Sequence, residues 1–187
     1  LWVRRALMPP APPAPLPHGI GLEPPRALPV IDLVDERGDP AGPGFFSGRW
    51  SLVFFGFTRC PEFCPVKLQA LGEARERMAD LPPDLQPDLV LVTVDPEGDD
   101  QAQLAAYLKG FGRGFHGLTG TPKALAPLYA ALGVTARRMD MPDGSYVYDH
   151  GTAVYVVDPD ARWIALLPAP HAPSLVATTF RALVAPA

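Results

Sequence analysis

Two features of the 187-residue sequence predict an α/β fold with a central mixed sheet. Two apolar runs of strand length, WSLVFFGF (50–57) and DLVLVTVD (88–95), are each followed by a segment with helical spacing. Near the C-terminus, SYVYDHGTAVYVVDPDARWIALLP reads as strands around a tight Asp158-Pro159-Asp160 turn, a β-hairpin signal. The early alternation implies parallel strands, and the terminal hairpin adds antiparallel ones, with helices on the flanks.

In chain order, residues 1–26 form a first unit. MPPAPPAPLPHGIGLEPPR is proline-rich with almost no periodic apolar residues, so an extended, polyproline-like tether is expected, followed by one domain over 27–187. ALPVIDLVDERG predicts a short strand closed by a turn at Glu36-Arg37-Gly38. WSLVFFGF has no polar alternation after its first residues, as a strand buried on both faces requires. In VKLQALGEARERMADL, Leu68, Leu71, Ala74 or Arg75, and Met78 recur at helical spacing until Pro82-Pro83 stop them. A second buried strand, 88–95, leads to an acidic-started helix with Leu104, Tyr107, Leu108 and Phe111 on its apolar face. GTPKALAPLYAALG predicts a helix capped by Thr121, opened by Pro122 and ended by Gly133, with Pro127 implying a kink or a later start. APSLVATTFRALV gives a last amphipathic helix. This order is that of a thioredoxin-like domain. A nucleotide-binding fold would need a glycine-rich loop after the first buried strand, where TRCPEFCP stands instead.

Composition narrows the function. A net charge of −4, with Lys and Arg scattered, argues against nucleic acid or an anionic membrane surface as partner. No apolar run approaches the roughly 20 residues of a membrane span. Two cysteines are too few for a disulfide scaffold, so the fold must rest on its core. No obvious interface helix is present, and a monomer is expected.

Both cysteines, Cys60 and Cys64, lie in FFGFTRCPEFCPVKL, where a buried strand hands over to a helix. α/β folds expose reactive groups outside the carboxyl ends of their strands. With Pro65 next, the main helix is expected to start at Pro65 with Cys64 as its cap and Cys60 in the preceding turn. The sulfurs can converge, since disulfides accept Cα atoms about 6 Å apart. The positive helix N-terminus and Arg59 should favour thiolates, which serve both as nucleophiles and as metal ligands. The spacing of three residues between them, Pro61-Glu62-Phe63, is wider than the Cys-x-x-Cys of dithiol oxidoreductases. It suits two sulfurs converging on a third atom, which directs attention to the four histidines.

His18 lies in the tether and reads as solvated; His116 opens a short strand and His171 precedes the last helix, where surface roles suffice. His150, in YVYDHGTAVYVV, feeds a central strand from a loop expected to face the cysteine turn. Cys60, Cys64 and His150 form a soft donor set that accepts copper(I) and can hold copper(II). Structural zinc requires four protein ligands, and no fourth is in view. Asp149 reads as an orienting partner of the imidazole or, more simply, a strand-end charge.

Together these segments resemble the Sco/SenC copper-chaperone family, thioredoxin-like proteins of the cytochrome c oxidase assembly pathway. FFGFTRCPEFCP, VTVDPEGDD, GLTGTPKALAPLYAALGV and YDHGTAVYVVDPDAR carry the resemblance in family order. It implies copper ligation by Cys60, Cys64 and His150, delivery to the dinuclear copper site of oxidase subunit II, and other copper chaperones as further partners. It also implies a membrane tether facing the periplasm, with an anchor ahead of Leu1. Some family members look instead like thiol-disulfide reductases, in which Cys60 and Cys64 would be the redox pair.

Overall fold

The computed structural model describes residues 15–185. An eight-stranded mixed sheet is built from β1 (Ile20–Ala27), β2 (Leu33–Asp35), β3 (Pro40–Ala41), β4 (Ser51–Gly56), β5 (Asp88–Thr93), β6 (Phe115–Thr119), β9 (Val154–Val157) and β10 (Arg162–Leu167). Between β6 and β9 the chain forms a separate two-stranded hairpin, β7 (Ala136–Asp140) with β8 (Tyr146–His150). The helices are α1 (Phe63–Glu76), α2 (Gln101–Leu108), α3 (Pro122–Leu132) and α4 (Pro173–Val184). The sheet order is β1-β10-β9-β4-β5-β6-β2-β3. β4, β5 and β6 run parallel, while β9 and β10 add antiparallel strands beside β4. This is the expected mixed sheet with a terminal hairpin.

Every residue of β4 is buried, as its unbroken apolar run requires. Its alternate residues divide the core. Val53 and Phe55 face Leu125, Leu128 and Leu132 of α3, and Leu52 and Phe54 face Leu68 and Leu71 of α1 and Phe180 of α4. Each fully buried phenylalanine contributes roughly 1.5–3 kcal/mol of transfer free energy. Thr121 caps α3 by accepting the Ala124 N–H at 3.2 Å, and Gly133 ends it with φ +66°, a left-handed conformation glycine adopts without Cβ strain. The helix continues through Pro127, so the later start is not adopted; the carbonyl that Pro127 leaves unbonded belongs to exposed Lys123 and can meet water.

Three local expectations change. Part of the proline-rich segment joins the sheet: Ile20–Ala27 pair with β10 in an irregular register broken between Gly21 and Arg26. Prolines are tolerated there because β1 is an edge strand and need not donate every N–H. Residues 1–14 of that segment lie outside the described residues. His18 is not simply solvated: its Nε2 lies 2.7 Å from the Pro168 carbonyl oxygen. The hairpin β7–β8 stands apart from the sheet, with His150 as the last residue of a strand rather than in a loop.

Candidate metal centre

β4 ends at Gly56, and the chain passes through Phe57, Thr58 and Arg59 to Cys60. The helix begins earlier than expected, at Phe63, with Glu62 in the cap position. Cys64 and Pro65 thus occupy the first turn, where the missing proline N–H removes no helical bond. Both cysteines are free and buried. The Cys64 backbone N–H donates to Cys60 Sγ at 3.4 Å, so a sulfur takes the role that a capping oxygen normally fills. Gly56 makes room beneath: a Cβ there would sit 2.9 Å from Cys64 Sγ and 3.2 Å from Leu91 Cδ1.

The electrostatics differ from the expectation of two easily formed thiolates. Burial pushes the Cys64 thiol up to about 12, reinforced by Cys60 and opposed by the Phe57 backbone and Lys67. Arg59 does not serve the sulfurs. Its Nη2 donates to Asp95 Oδ2 at 2.7 Å and its guanidinium lies over the Tyr146 ring at 5.0 Å. The nearby cation is Lys67, on α1. Its Nζ donates to the Thr152 carbonyl at 2.7 Å, joining α1 to the loop after His150, and burial lowers its pKa.

His150 packs edge-on against Phe57, with ring centroids 6.4 Å apart, which places it beside the turn carrying the cysteines. Its Nδ1 lies 2.9 Å from the Gly151 carbonyl oxygen, and a protonated Nδ1 there leaves Nε2 as the lone-pair donor. Burial holds its pKa below the usual histidine value, which favours the neutral form that ligates a metal. The structure joins the two cysteines directly. Among the described residues, however, no three His, Cys, Asp or Glu side chains are already gathered as a metal-holding group. Asp149 is exposed and faces Arg137 across the hairpin at 3.5 Å, the strand-end role. His116 and His171 lie elsewhere, the former between Glu36 and Asp88, the latter on the Leu167 carbonyl.

Sequence reasoning missed Asp95 and Asp99, in the connection between β5 and α2. Asp99 accepts from the Thr58 N–H (3.0 Å), Thr58 Oγ (2.6 Å) and Thr93 Oγ (2.7 Å), fixing the backbone just before Cys60. Their position beyond the carboxyl end of the second buried strand was the available signal.

The SCO1/SenC family model matches residues 25–185. A protein of Stutzerimonas stutzeri named for copper binding is 39% identical over 137 residues, 72% of this chain and 66% of its own length. The chain spans about half the length of the mitochondrial SCO2 homologs of Mus musculus and Homo sapiens that it matches. Among solved structures, copper-bound ScoI of Bradyrhizobium japonicum superposes with a TM-score of 0.74 at 28% identity, covering 83% of this chain and 98% of that one. Apo Sco1 of Thermus thermophilus gives 0.75 at 32% identity, covering 89% and 96%.

Proposed function

The chain belongs to the SCO1/SenC family, and from that premise we propose that it is a copper metallochaperone, holding the ion through Cys60, Cys64 and His150. The observation that carries this reading is the pair of free, buried sulfurs at the start of α1, with the His150 ring packed on Phe57 beside them. Two thiolates and a neutral imidazole suit copper(I) and can retain copper(II). The recess at Gly56 supports the reading, since a Cβ there would sit 2.9 Å from the Cys64 sulfur. Loading must displace thiol protons, and His150 must close onto the sulfurs as the ion arrives. The cargo's destination is proposed to be the copper domain of cytochrome c oxidase subunit II, with other copper chaperones as donors. The setting is proposed to be extracytoplasmic, on the periplasmic side, with the proline-rich stretch ahead of β1 as a membrane tether. Among the described residues no helix is long and apolar enough to cross a membrane.

Copper titration of the reduced protein beside His150→Ala is the test. Loss of one of three ligands should weaken binding by about tenfold or more, and equal affinity in the two proteins sinks the three-ligand reading.

The same cysteine pair favours a second reading, a thiol-disulfide reductase. Cys60, nearer the exposed turn, would attack a target disulfide and expel one target thiolate. Cys64 would then attack the mixed disulfide, leaving a Cys60–Cys64 disulfide and a target reduced by two electrons. Burial of the Cys64 thiol suits the resolving role. Turnover on a mixed-disulfide substrate that survives His150→Ala would favour this reading over the first. A Cys60–Cys64 disulfide would also abolish copper binding.

A further inference from the structure

We propose that Asp95 is a positioning residue of the metal centre, holding the hairpin that ends at His150 against the turn that carries Cys60. The proposal rests on the three-ligand reading above and adds how the third ligand is brought to the other two.

The Asp95 side chain is 1% exposed. On one side its Oδ2 accepts from Arg59 Nη2 at 2.7 Å, and Arg59 is covalently next to Cys60. On the other side it accepts from two hairpin residues, Tyr146 OH at 2.6 Å and Tyr148 OH at 3.3 Å. Tyr146, Tyr148 and His150 alternate along β8, so the two hydroxyls and the imidazole leave the strand on one face. Phe57 closes the arrangement, packing edge-on to Tyr148 at 5.4 Å and to His150 at 6.4 Å.

The backbone that carries the carboxylate is fixed just after β5. The Asp95 N–H donates to Thr93 Oγ at 2.9 Å, and the Asp95 carbonyl accepts from the Gly98 and Asp99 N–H groups at 3.0 and 2.8 Å. Gly98 permits the ion pair, since a Cβ there would overlap the Arg59 guanidinium and the Asp95 carboxylate. The hairpin otherwise lies outside the main sheet, with no ladder bonds to it among the described residues. A buried charge-assisted network therefore substitutes for strand pairing, and it joins the cysteine turn to the histidine strand through one carboxylate.

Two measurements on the full chain test this. In the apo protein, Asp95→Asn should lower amide-exchange protection of Ala136–Asp140 and Tyr146–His150 by about tenfold or more, as loss of a charge-assisted hydrogen bond allows. The β4 and β5 amides should keep theirs. Unchanged hairpin protection overturns the proposal. With copper(II), Asp95→Asn should weaken binding about tenfold in the wild-type background and less than about twofold in the His150→Ala background, since coupled residues are not additive. The nitrogen hyperfine signal should fade while thiolate-to-copper charge transfer persists, a change that general destabilisation would not produce. Equal weakening in both backgrounds overturns the proposal. If His150→Ala leaves copper affinity unchanged, the three-ligand reading fails, and the exchange result alone decides whether Asp95 holds the hairpin. Should Asp95→Asn fail to fold, Tyr146→Phe combined with Tyr148→Phe removes the hairpin donors while keeping the Arg59 pair, and carries both measurements with the same expected direction.

Discussion

Cys64 lies four positions after Cys60, and its thiol is held up to about 12, by burial first and by the neighbouring sulfur second. At neutral pH it is therefore a thiol, and a thiolate ligand can form only by losing that proton. Raising pH removes the competitor, so copper affinity should rise by up to about tenfold per pH unit for each proton displaced. Proton release on loading in weak buffer, compared between pH 6 and 8, checks this; pH-independent loading with no release contradicts it. The placement of the cysteines between a buried strand and a helix was legible in the sequence, because it follows from residue type and from the apolar run before them. The role of Arg59 was not. Its proximity to Cys60 along the chain suggested a thiolate partner, yet the buried Asp95 carboxylate offers the guanidinium a charge-assisted hydrogen bond.

Among the elements, α3 is the one whose ends were most readable. Thr121, Pro122 and Gly133 each satisfy a local backbone requirement that depends on no distant residue. Thr121→Ala should cost about 1 kcal/mol of stability, read as a lower urea midpoint with an unchanged m-value, and should leave copper binding intact. The start of α1 was misplaced because a proline is compatible with any first-turn position, and the bond that decides the matter runs from the Cys64 N–H to a sulfur. β1 was hidden by its prolines. An edge strand uses only some of its N–H groups, so composition alone reads as a tether where pairing with β10 makes a strand.

At the scale of the whole molecule, two of the buried carboxylates, Asp35 and Asp95, tie loops to the sheet, and both titrate below the ordinary aspartate value of 3.8. For Asp95, burial raises the pKa, but the Tyr146 and Arg59 hydrogen bonds outweigh it. For Asp35, burial again opposes, and the Arg37 side chain with the Asp39 and Arg37 N–H groups prevails. A group with a depressed native pKa stabilises the fold above its unfolded value and ceases to as pH falls through the native one. The contribution of these two carboxylates should hold from pH 7 to about 5 and be lost below about 4, where the unfolded chain takes up their protons first. Urea unfolding across that range measures it, and Asp95→Asn should flatten the slope below pH 4.

The sequence by itself determined the alternation of elements, the mixed sheet, and the seat of the cysteine pair at a strand-to-helix turn. These depend on periodicity and on local backbone chemistry, which act over a few residues. Only the tertiary structure decided where β7–β8 sits, that Arg59 serves Asp95, and that Tyr146 and Tyr148 share the carboxylate with it. Those contacts span 36 to 53 positions of chain. They exist because a buried carboxylate must find donors wherever packing brings them, a demand no local pattern records.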